Sequence, residues 1–319
     1  MTQRQKPTHV SPDQGVEQAF EQILRTNLAT IREWEPVVLA GEDPEGVHQL
    51  RVCLRRMRSA LAVFRGAFPR RVTRPFFEEM RCAAKTLDRA RDLDVYIADN
   101  FSPKGKKPQR RMRKLAVKHR ARAYDQVTDF VQGERYRQLC DHFRHWVETR
   151  GWRADLSDDQ CEVLEGNVMP FAGEVLDSQR TRVLNDGGDI RHLDSEALHQ
   201  LRIDCKKLRY AAEFFVPLYG EPMKDFIGHL RSLQDLLGTL HDMAVMRDLQ
   251  KELLKGSKQR KLTRCARRLV DERGKQAKVI RKTLISRWDA FSSTGRPWRA
   301  SGTYLARSPH ASRSFPPAS

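Results

Sequence analysis

Apolar residues recur every three to four positions along most of the chain, and no segment alternates apolar and polar residues over the length of a strand. A repeat near 3.6 residues predicts amphipathic helices, whereas strict alternation would predict strands. The first stripe consists of Val16, Phe20, Ile23, Leu24, Ile31, Trp34 and Val38. The sequence therefore predicts an all-α fold.

Proline, glycine and capping residues divide these stripes into separate helices. Ser11-Pro12-Asp13-Gln14 has the pattern of an N-cap, a proline at the first helical position and a capping-box glutamine. The last of these segments, from about Ser257 to Phe291, is predicted to form one or two helices. The predicted helices cover about Pro12–Ala40, Asp43–Gly66, Pro75–Ala98, Arg110–Val147 with a break near Gly133, Pro170–Asn185, Asp194–Pro217, Pro222–Leu254 and Ser257–Phe291.

The two halves of the chain repeat one another. Val47–Val52 reads V-H-Q-L-R-V and Leu198–Ile203 reads L-H-Q-L-R-I, at an offset of 151 residues. We interpret this as two four-helix bundles related by an internal pseudo-twofold duplication. The bundles are predicted over residues 11–150 and 151–291, followed by a disordered basic tail over 292–319.

One face of the helix after Asp43 carries only cations and a histidine. At 100° per residue, its apolar side chains fall on the opposite face. The second copy has the same arrangement, and each stripe spans roughly 15 Å of helix axis. The stripe residues are His48, Arg51, Arg55 and Arg58 in the first copy and His199, Arg202, Lys206 and Arg209 in the second.

These stripes predict contact with several anionic groups in a row. No carboxylate lies between His48 and Arg74, so the partners four residues away that would relieve like charges are missing. Arginine also forms forked hydrogen bonds with phosphate oxygens. We assign neighbouring cations of the two motifs and of the following helices to the same candidate site: Arg56, Lys207, Arg81, Lys85 and Arg231.

Asp92 and Asp242 end the stripe of the following helix in each copy, and we interpret them as salt-bridge partners of a neighbouring arginine. Each copy has too few clustered acids for a cage of oxygen ligands. His48 and His199 belong to no zinc motif, and their place on the stripes favours a hydrogen-bond donor to phosphate over a buried helix residue or a metal ligand. No cofactor is predicted.

The overall charge supports a polyanionic partner. Lys and Arg number 59 against 41 Asp and Glu, which gives a net charge of +18. No run of 18 apolar residues exists, so no membrane partner is predicted, and the N-terminus lacks the apolar core of an export signal. Six scattered cysteines favour a reducing, cytoplasmic setting.

Four motifs in order resemble those of the CHAD family, the conserved histidine α-helical domains. They are Val47–Arg58, Leu198–Tyr210, R-D-L-D-V at Arg91–Val95 and L-L-G-T-L-H-D at Leu236–Asp242. The resemblance extends from about Ser11 to Phe291 and implies two four-helix bundles whose basic helix faces line a central groove that binds inorganic polyphosphate. It departs at Ser59, which takes the place of Tyr210.

The resemblance is to stand-alone members of the family, since no E-x-E-x-K strand of a CYTH triphosphatase domain is found. It implies a non-enzymatic polyphosphate-binding protein associated with polyphosphate granules. A nucleic-acid-binding protein is the nearer alternative, because the same cations would neutralise its phosphates. A phosphoryl-transfer or polyphosphate-metabolising enzyme is the second alternative, although the sequence has no glycine-rich phosphate loop.

Overall fold

Every regular element of the part that the computed structural model describes, residues 10–102, 104–255 and 259–300, is helical, and the all-α prediction is confirmed. Two short 3-10 turns, Arg65–Ala67 and Gly151–Arg153, lie between the helices. The helices are α1 Val16–Ala40, α2 Pro44–Val63, α3 Arg70–Asn100, α4 Lys107–Gln132, α5 Glu134–Glu148, α6 Asp158–Glu165, α7 Val168–Gly187, α8 Ser195–Phe214, α9 Val216–Tyr219, α10 Glu221–Leu253, α11 Arg260–Ser292 and α12 Pro297–Ala300.

The apolar stripes of α2 and α8 are buried in the core. Burial of aliphatic side chains is the main force that holds such amphipathic helices in place. The predicted apolar positions are at most 2% exposed in α2, and in α8 they are fully enclosed: Leu50, Leu54, Met57 and Leu61, and Leu201, Cys205, Leu208 and Ala212.

Helices pack in the same order in both halves of the chain. Helices α1, α2, α3 and α4 contact one another in sequence, and so do α7, α8, α10 and α11. Each helix also contacts its counterpart, in the pairs α1–α7, α2–α8, α3–α10 and α4–α11. The twofold relation and the bundle boundaries at residues 11–150 and 151–291 stay predictions.

The start of α1 differs from the prediction. Gln14 accepts the predicted 3.0 Å hydrogen bond from the Ser11 N–H, but these residues form a turn and the helix begins only at Val16. The cause is a backbone pairing with the start of α7. The Val16 N–H donates to the Gly166 carbonyl at 2.9 Å, and the Val168 N–H donates to the Gln14 carbonyl at 3.0 Å.

Two other elements differ from the prediction, and one predicted boundary is confirmed. Helix α3 begins at Arg70 and contains Pro75, which the prediction placed at its start. Helix α6 was not predicted, and its capping box at Ser157 was overlooked. The predicted break near Gly133 is confirmed, because this glycine caps α5 and separates it from α4.

The predicted disordered tail is ordered over its first nine residues, so this part of the prediction is wrong. Trp298 is fully buried, and its indole N–H donates a 2.9 Å hydrogen bond to Asp177 in α7. Arg180 donates to the carbonyls of Ser292 and Thr294. One buried indole provides the anchor that composition did not reveal. Residues 301–319 lie outside the described residues.

Aromatic side chains join the two halves into one core. Phe64, at the end of α2, is fully enclosed. Its ring centroid lies 5.1 Å from that of Phe171 in α7 and 6.0 Å from that of Phe215 after α8. Phe64 and Phe215 are counterparts at the repeat offset of 151 residues. Neither half therefore completes its core alone.

Replacing Phe64 by Ala is expected to lower the free energy of unfolding by about 3–5 kcal/mol, because the cavity opens between both halves. Urea denaturation should show a single shifted transition. Val279→Ala, at a side chain 65% exposed, is the control and should change stability by less than about 0.5 kcal/mol. Two separable transitions, of which only one moves, would contradict a shared core.

Candidate polyanion-binding site

The basic stripes of α2 and α8 start at the same distance from their N-caps. Asp43 and Asp194 each accept a 2.8 Å hydrogen bond from a backbone N–H of the first turn. Such caps fix where a helix begins and hence which face each later residue occupies. His48 and His199 each follow their cap by five residues. Since α2 contacts α8, the two stripes meet.

Three cations at this meeting point form what we call the central cluster: Arg55, Arg202 and Lys206. No ion pair is found for any of them within the described residues. Burial lowers the pKa of Lys206 to about 6, and the positive charges of Arg55 and Arg202 contribute to the shift. Burial also lowers the pKa of both arginines. Lys206 is therefore largely neutral at pH 7 in the unliganded chain.

The arginines flanking the central cluster do have partners. Arg51 donates to the carboxylate of Asp88 in α3. Arg209 donates a 2.8 Å hydrogen bond to the side chain of Gln234 in α10 and a second one to Glu213. The stripe of α2 contains no acid, but a neighbouring helix supplies one. The expectation of unrelieved charge thus holds for the central cluster and is wrong for the flanking arginines.

Glu213 of α8 holds three arginines from three helices. Its carboxylate accepts hydrogen bonds from Arg56 of α2 at 3.0 Å, from Arg231 of α10 at 3.1 Å and from Arg209 of its own helix. Its side chain is only 12% exposed. Charge-assisted hydrogen bonds to a carboxylate with little exposure to water restrict side-chain geometry. Glu213 therefore sets the relative positions of α2, α8 and α10 beside the central cluster.

Arg56 and Lys207, which were assigned to the site, lie in ion pairs outside the central cluster. Arg56 is 8% exposed and is bonded to Glu213, with its guanidinium carbon 5.1 Å from the centroid of the Phe214 ring. Lys207 donates a 2.9 Å hydrogen bond to Asp204. Arg56 connects α2 with α8 and shares the carboxylate of Glu213 with the stripe residue Arg209.

Helix α3 extends the basic surface beside Arg58. The guanidinium carbon of Arg58 lies 4.8 Å from the Phe77 ring centroid, and its Nε is enclosed without a hydrogen-bond partner among the described residues. Burial lowers the Arg58 pKa, and the charge of Arg81 adds to this effect. Arg81 itself bonds to Glu78 at 2.7 Å, whereas Lys85 is exposed and no ion pair is found for it in the described part of α3.

The two stripe histidines have different neighbours. His199 lies against His241 of α10, with 3.1 Å between their Nδ1 atoms, so one ring donates and the other accepts. Burial lowers the pKa of His241 to about 4, and the positive charge of Arg202 contributes to that shift. Burial and the charge of Arg91 lower the pKa of His48. Burial therefore disfavours the charged form of both His48 and His241.

Within the described part of the chain, no salt bridge is found for Asp92 or Asp242, so the predicted direct pairs are not formed. Burial raises the pKa of both carboxyls, that of Asp92 to about 6, and the charges of Arg51 near Asp92 and of Arg202 near Asp242 oppose that shift. The two carboxyls line a pocket between α3 and α10 together with Asp99. The predicted salt-bridge role falls to Asp88 and to Asp94, which accepts a hydrogen bond from Arg120. Among the described residues, no group of three His, Cys, Asp or Glu side chains has the geometry to hold a metal ion.

Sequence reasoning missed four contributors to the site: Asp88 as a partner, Glu213, Gln234 and His241. Glu213 follows Arg209 by four residues, which is a recognisable i,i+4 pair. Its bond to Arg56 joins residues 157 positions apart and leaves no local signal. His241 stands in the L-H-D motif, and its counterpart in the first half is Arg91. Comparison of the two copies therefore identified the position of His241 as part of a repeated motif, but it could not reveal the contact of His241 with His199.

The fold and the central cluster define an all-helical protein with a basic surface where α2 meets α8. The chain belongs to the CHAD domain family, which matches residues 22–251. This match is shorter than the resemblance from Ser11 to Phe291 inferred from the motifs. In the described residues, no helix is long and apolar enough to cross a membrane.

Two solved structures share the fold. The crystal structure of the CHAD domain from the plant Ricinus communis has a TM-score of 0.74 and 24% sequence identity, and the similarity covers 93% of this chain and 96% of that one. PptA from Streptomyces chartreusis has a TM-score of 0.66 and 12% identity, with coverage of 86% and 100%. No curated protein matches the sequence.

Replacing Glu213 by Gln should lower the free energy of unfolding by about 3 kcal/mol, because it leaves the buried guanidinium of Arg56 without its charged partner. Chemical denaturation measures the loss. Glu78→Gln is the matched control, since its ion pair with Arg81 is exposed and should contribute less than about 1 kcal/mol. Equal effects of the two substitutions would show that Glu213 does not organise the site.

Proposed function

We propose that this protein binds inorganic polyphosphate along the two basic stripes. The observation that carries the proposal is the central cluster, where Arg55, Arg202 and Lys206 crowd together with no ion pair found for them in the described residues. Crowding of like charges costs free energy in the unliganded chain, and a polyanion relieves it. Membership of the CHAD family supports the same ligand.

A thin, uniformly charged chain fits these stripes better than a nucleic acid does. The stripes of α2 and α8 contain arginine, lysine and histidine, but no asparagine or glutamine that would read base edges and no exposed ring that would stack on bases. Phosphate contacts alone carry no sequence information. Nucleic acid therefore remains the competitor against which the proposal has to be tested.

Binding without turnover and a place at cytoplasmic polyphosphate granules are parts of the same proposal. Two acids beside the stripes, Asp88 and Glu213, are engaged by arginines, which suits a scaffold for binding rather than an acid or base in catalysis. Incubation with polyphosphate and magnesium should release no orthophosphate. Release that is abolished by His48→Gln or His199→Gln would favour the phosphoryl-transfer alternative.

A quadruple variant should bind polyphosphate at least about a hundredfold more weakly, because several charge-assisted hydrogen bonds are lost. It replaces Arg51, Arg55, Arg202 and Lys206 by Gln. Titration of labelled polyphosphate at several salt concentrations measures the affinity, which should also become less dependent on salt. Wild-type protein should prefer polyphosphate over DNA at equal phosphate concentration.

The matched control removes four positive charges from the exposed face of α4: Arg110, Arg111, Lys114 and Lys118 to Gln. It lowers the net charge at least as much as the stripe variant does, so a general electrostatic effect would weaken binding in the control by at least as much. Retained binding in the control and lost binding in the stripe variant would locate the site. A preference of the wild type for DNA would contradict the proposed ligand.

The affinity for polyphosphate should fall as the pH rises from about 6 to about 8. The pKa of Lys206 is about 6 in the unliganded chain, and a bound polyanion raises it, so binding takes up a proton. The fall is at most about tenfold per pH unit for one proton. Isothermal titration in buffers of different ionisation enthalpy measures the uptake directly.

Lys206→Arg and Lys206→Gln separate charge from titration at this position. Arginine keeps its charge over the whole range, so the first variant should bind with a flatter pH dependence, and the second should bind more weakly but equally flatly. Thermal unfolding of both variants checks that they fold. An unchanged pH slope in both variants would assign the titration to the histidines instead.

A further inference from the structure

Tyr210 of α8 lies among the arginines of the basic surface, although it carries no charge. Its side chain is 2% exposed. The guanidinium carbon of Arg209 lies 4.6 Å from the centroid of its ring, and that of Arg55, which comes from α2, lies 5.5 Å away. Each distance is within the range of a cation–π contact. The ring therefore meets guanidinium groups from both stripes.

Two enclosed polar atoms at this point make no hydrogen bond of regular geometry among the described residues: the hydroxyl of Tyr210 and the Nε of Arg55, although the phenol and the guanidinium lie close enough to interact with each other. Buried donors without a partner cost about 1–3 kcal/mol each, and native proteins seldom tolerate them without a reason. Two such donors side by side at the α2–α8 contact indicate a missing acceptor.

The counterpart of Tyr210 in the first half cannot play the same part. Ser59 occupies that position, and its hydroxyl donates a 2.9 Å hydrogen bond to the carbonyl of Arg55 in its own helix. The basic surface therefore has one phenol, on the α8 side only. Any interaction that uses it makes the two halves of the surface unequal.

We propose that the Tyr210 hydroxyl and the Arg55 Nε together bind one phosphoryl group of the polyphosphate chain, which makes Tyr210 a binding residue of the site. This inference rests on the proposed function. A phosphoryl oxygen accepts a hydrogen bond from both donors. The Tyr210 ring contacts the guanidinium groups of Arg55 and Arg209, which flank the position of that oxygen. Arg55 rotates about its side-chain torsions to admit the group.

Tyr210→Phe tests the proposal, because it removes the hydroxyl and keeps the ring. Its affinity for long-chain polyphosphate should fall about tenfold, the loss of one hydrogen bond to a charged group. The slope of log affinity against log salt should stay as in the wild type, since no charge is removed. Arg55→Gln should lower both the affinity and that slope, by about 0.7 to 0.9.

Tyr96→Phe is the matched control. Tyr96 of α3 is 3% exposed and also has an enclosed hydroxyl without a hydrogen bond of regular geometry to any described residue, but it lines the pocket that contains Asp92 and Asp242. This variant should bind like the wild type. The Arg55→Gln, Tyr210→Phe double variant should lose less than the two single losses combined, because both donors serve one phosphoryl group.

The outcomes distinguish this inference from the proposed function. Wild-type affinity in Tyr210→Phe, or an equal loss in Tyr96→Phe, overturns the role of Tyr210 while polyphosphate binding stands. Absence of polyphosphate binding in the wild type overturns both. If Tyr210→Phe lowers the unfolding midpoint in proportion to its loss of affinity, the hydroxyl is structural and the inference is wrong.

Discussion

Positive side chains from both halves of the chain meet at the contact between α2 and α8, and the surrounding structure holds them there against their mutual repulsion. Lys206 shows the cost of this arrangement, since burial, with a further contribution from the charges of neighbouring arginines, brings its pKa to about 6. Two features oppose the repulsion. The rings of Phe64, Phe171 and Phe215 bind the halves together on the apolar side. Glu213 forms ion pairs with three arginines at the edge of the cluster and offsets part of their charge.

The faces of α2 and α8 could be predicted from sequence because helical geometry alone decides them. Once Asp43 and Asp194 cap their helices, the 3.6-residue period places every later side chain on the apolar or the basic face. The burial of Leu50 and Leu201 agrees with that placement. Periodicity is a local property, and local properties are what a single sequence reveals best.

Contacts between helices could not be predicted in this way. Arg56 occurs within the first basic motif, yet it bonds to Glu213 of the other half. The same limit explains α1, whose start depends on pairing with residues near Gly166. It also explains the segment after Ser292, where composition indicated disorder and one tryptophan, Trp298, supplies the anchor. In each case the deciding partner lies more than 100 residues away in sequence.

The aromatic contact between the halves also has a consequence during synthesis on the ribosome. Phe64 emerges 151 residues before Phe215, its ring partner. At elongation rates of about 5–20 residues per second, this interval lasts roughly 8–30 s. Throughout that time the apolar end of α2 has no second half to pack against, while the arginines on its other face keep the nascent segment charged. A charged face favours the solubility of a segment whose apolar face is not yet covered.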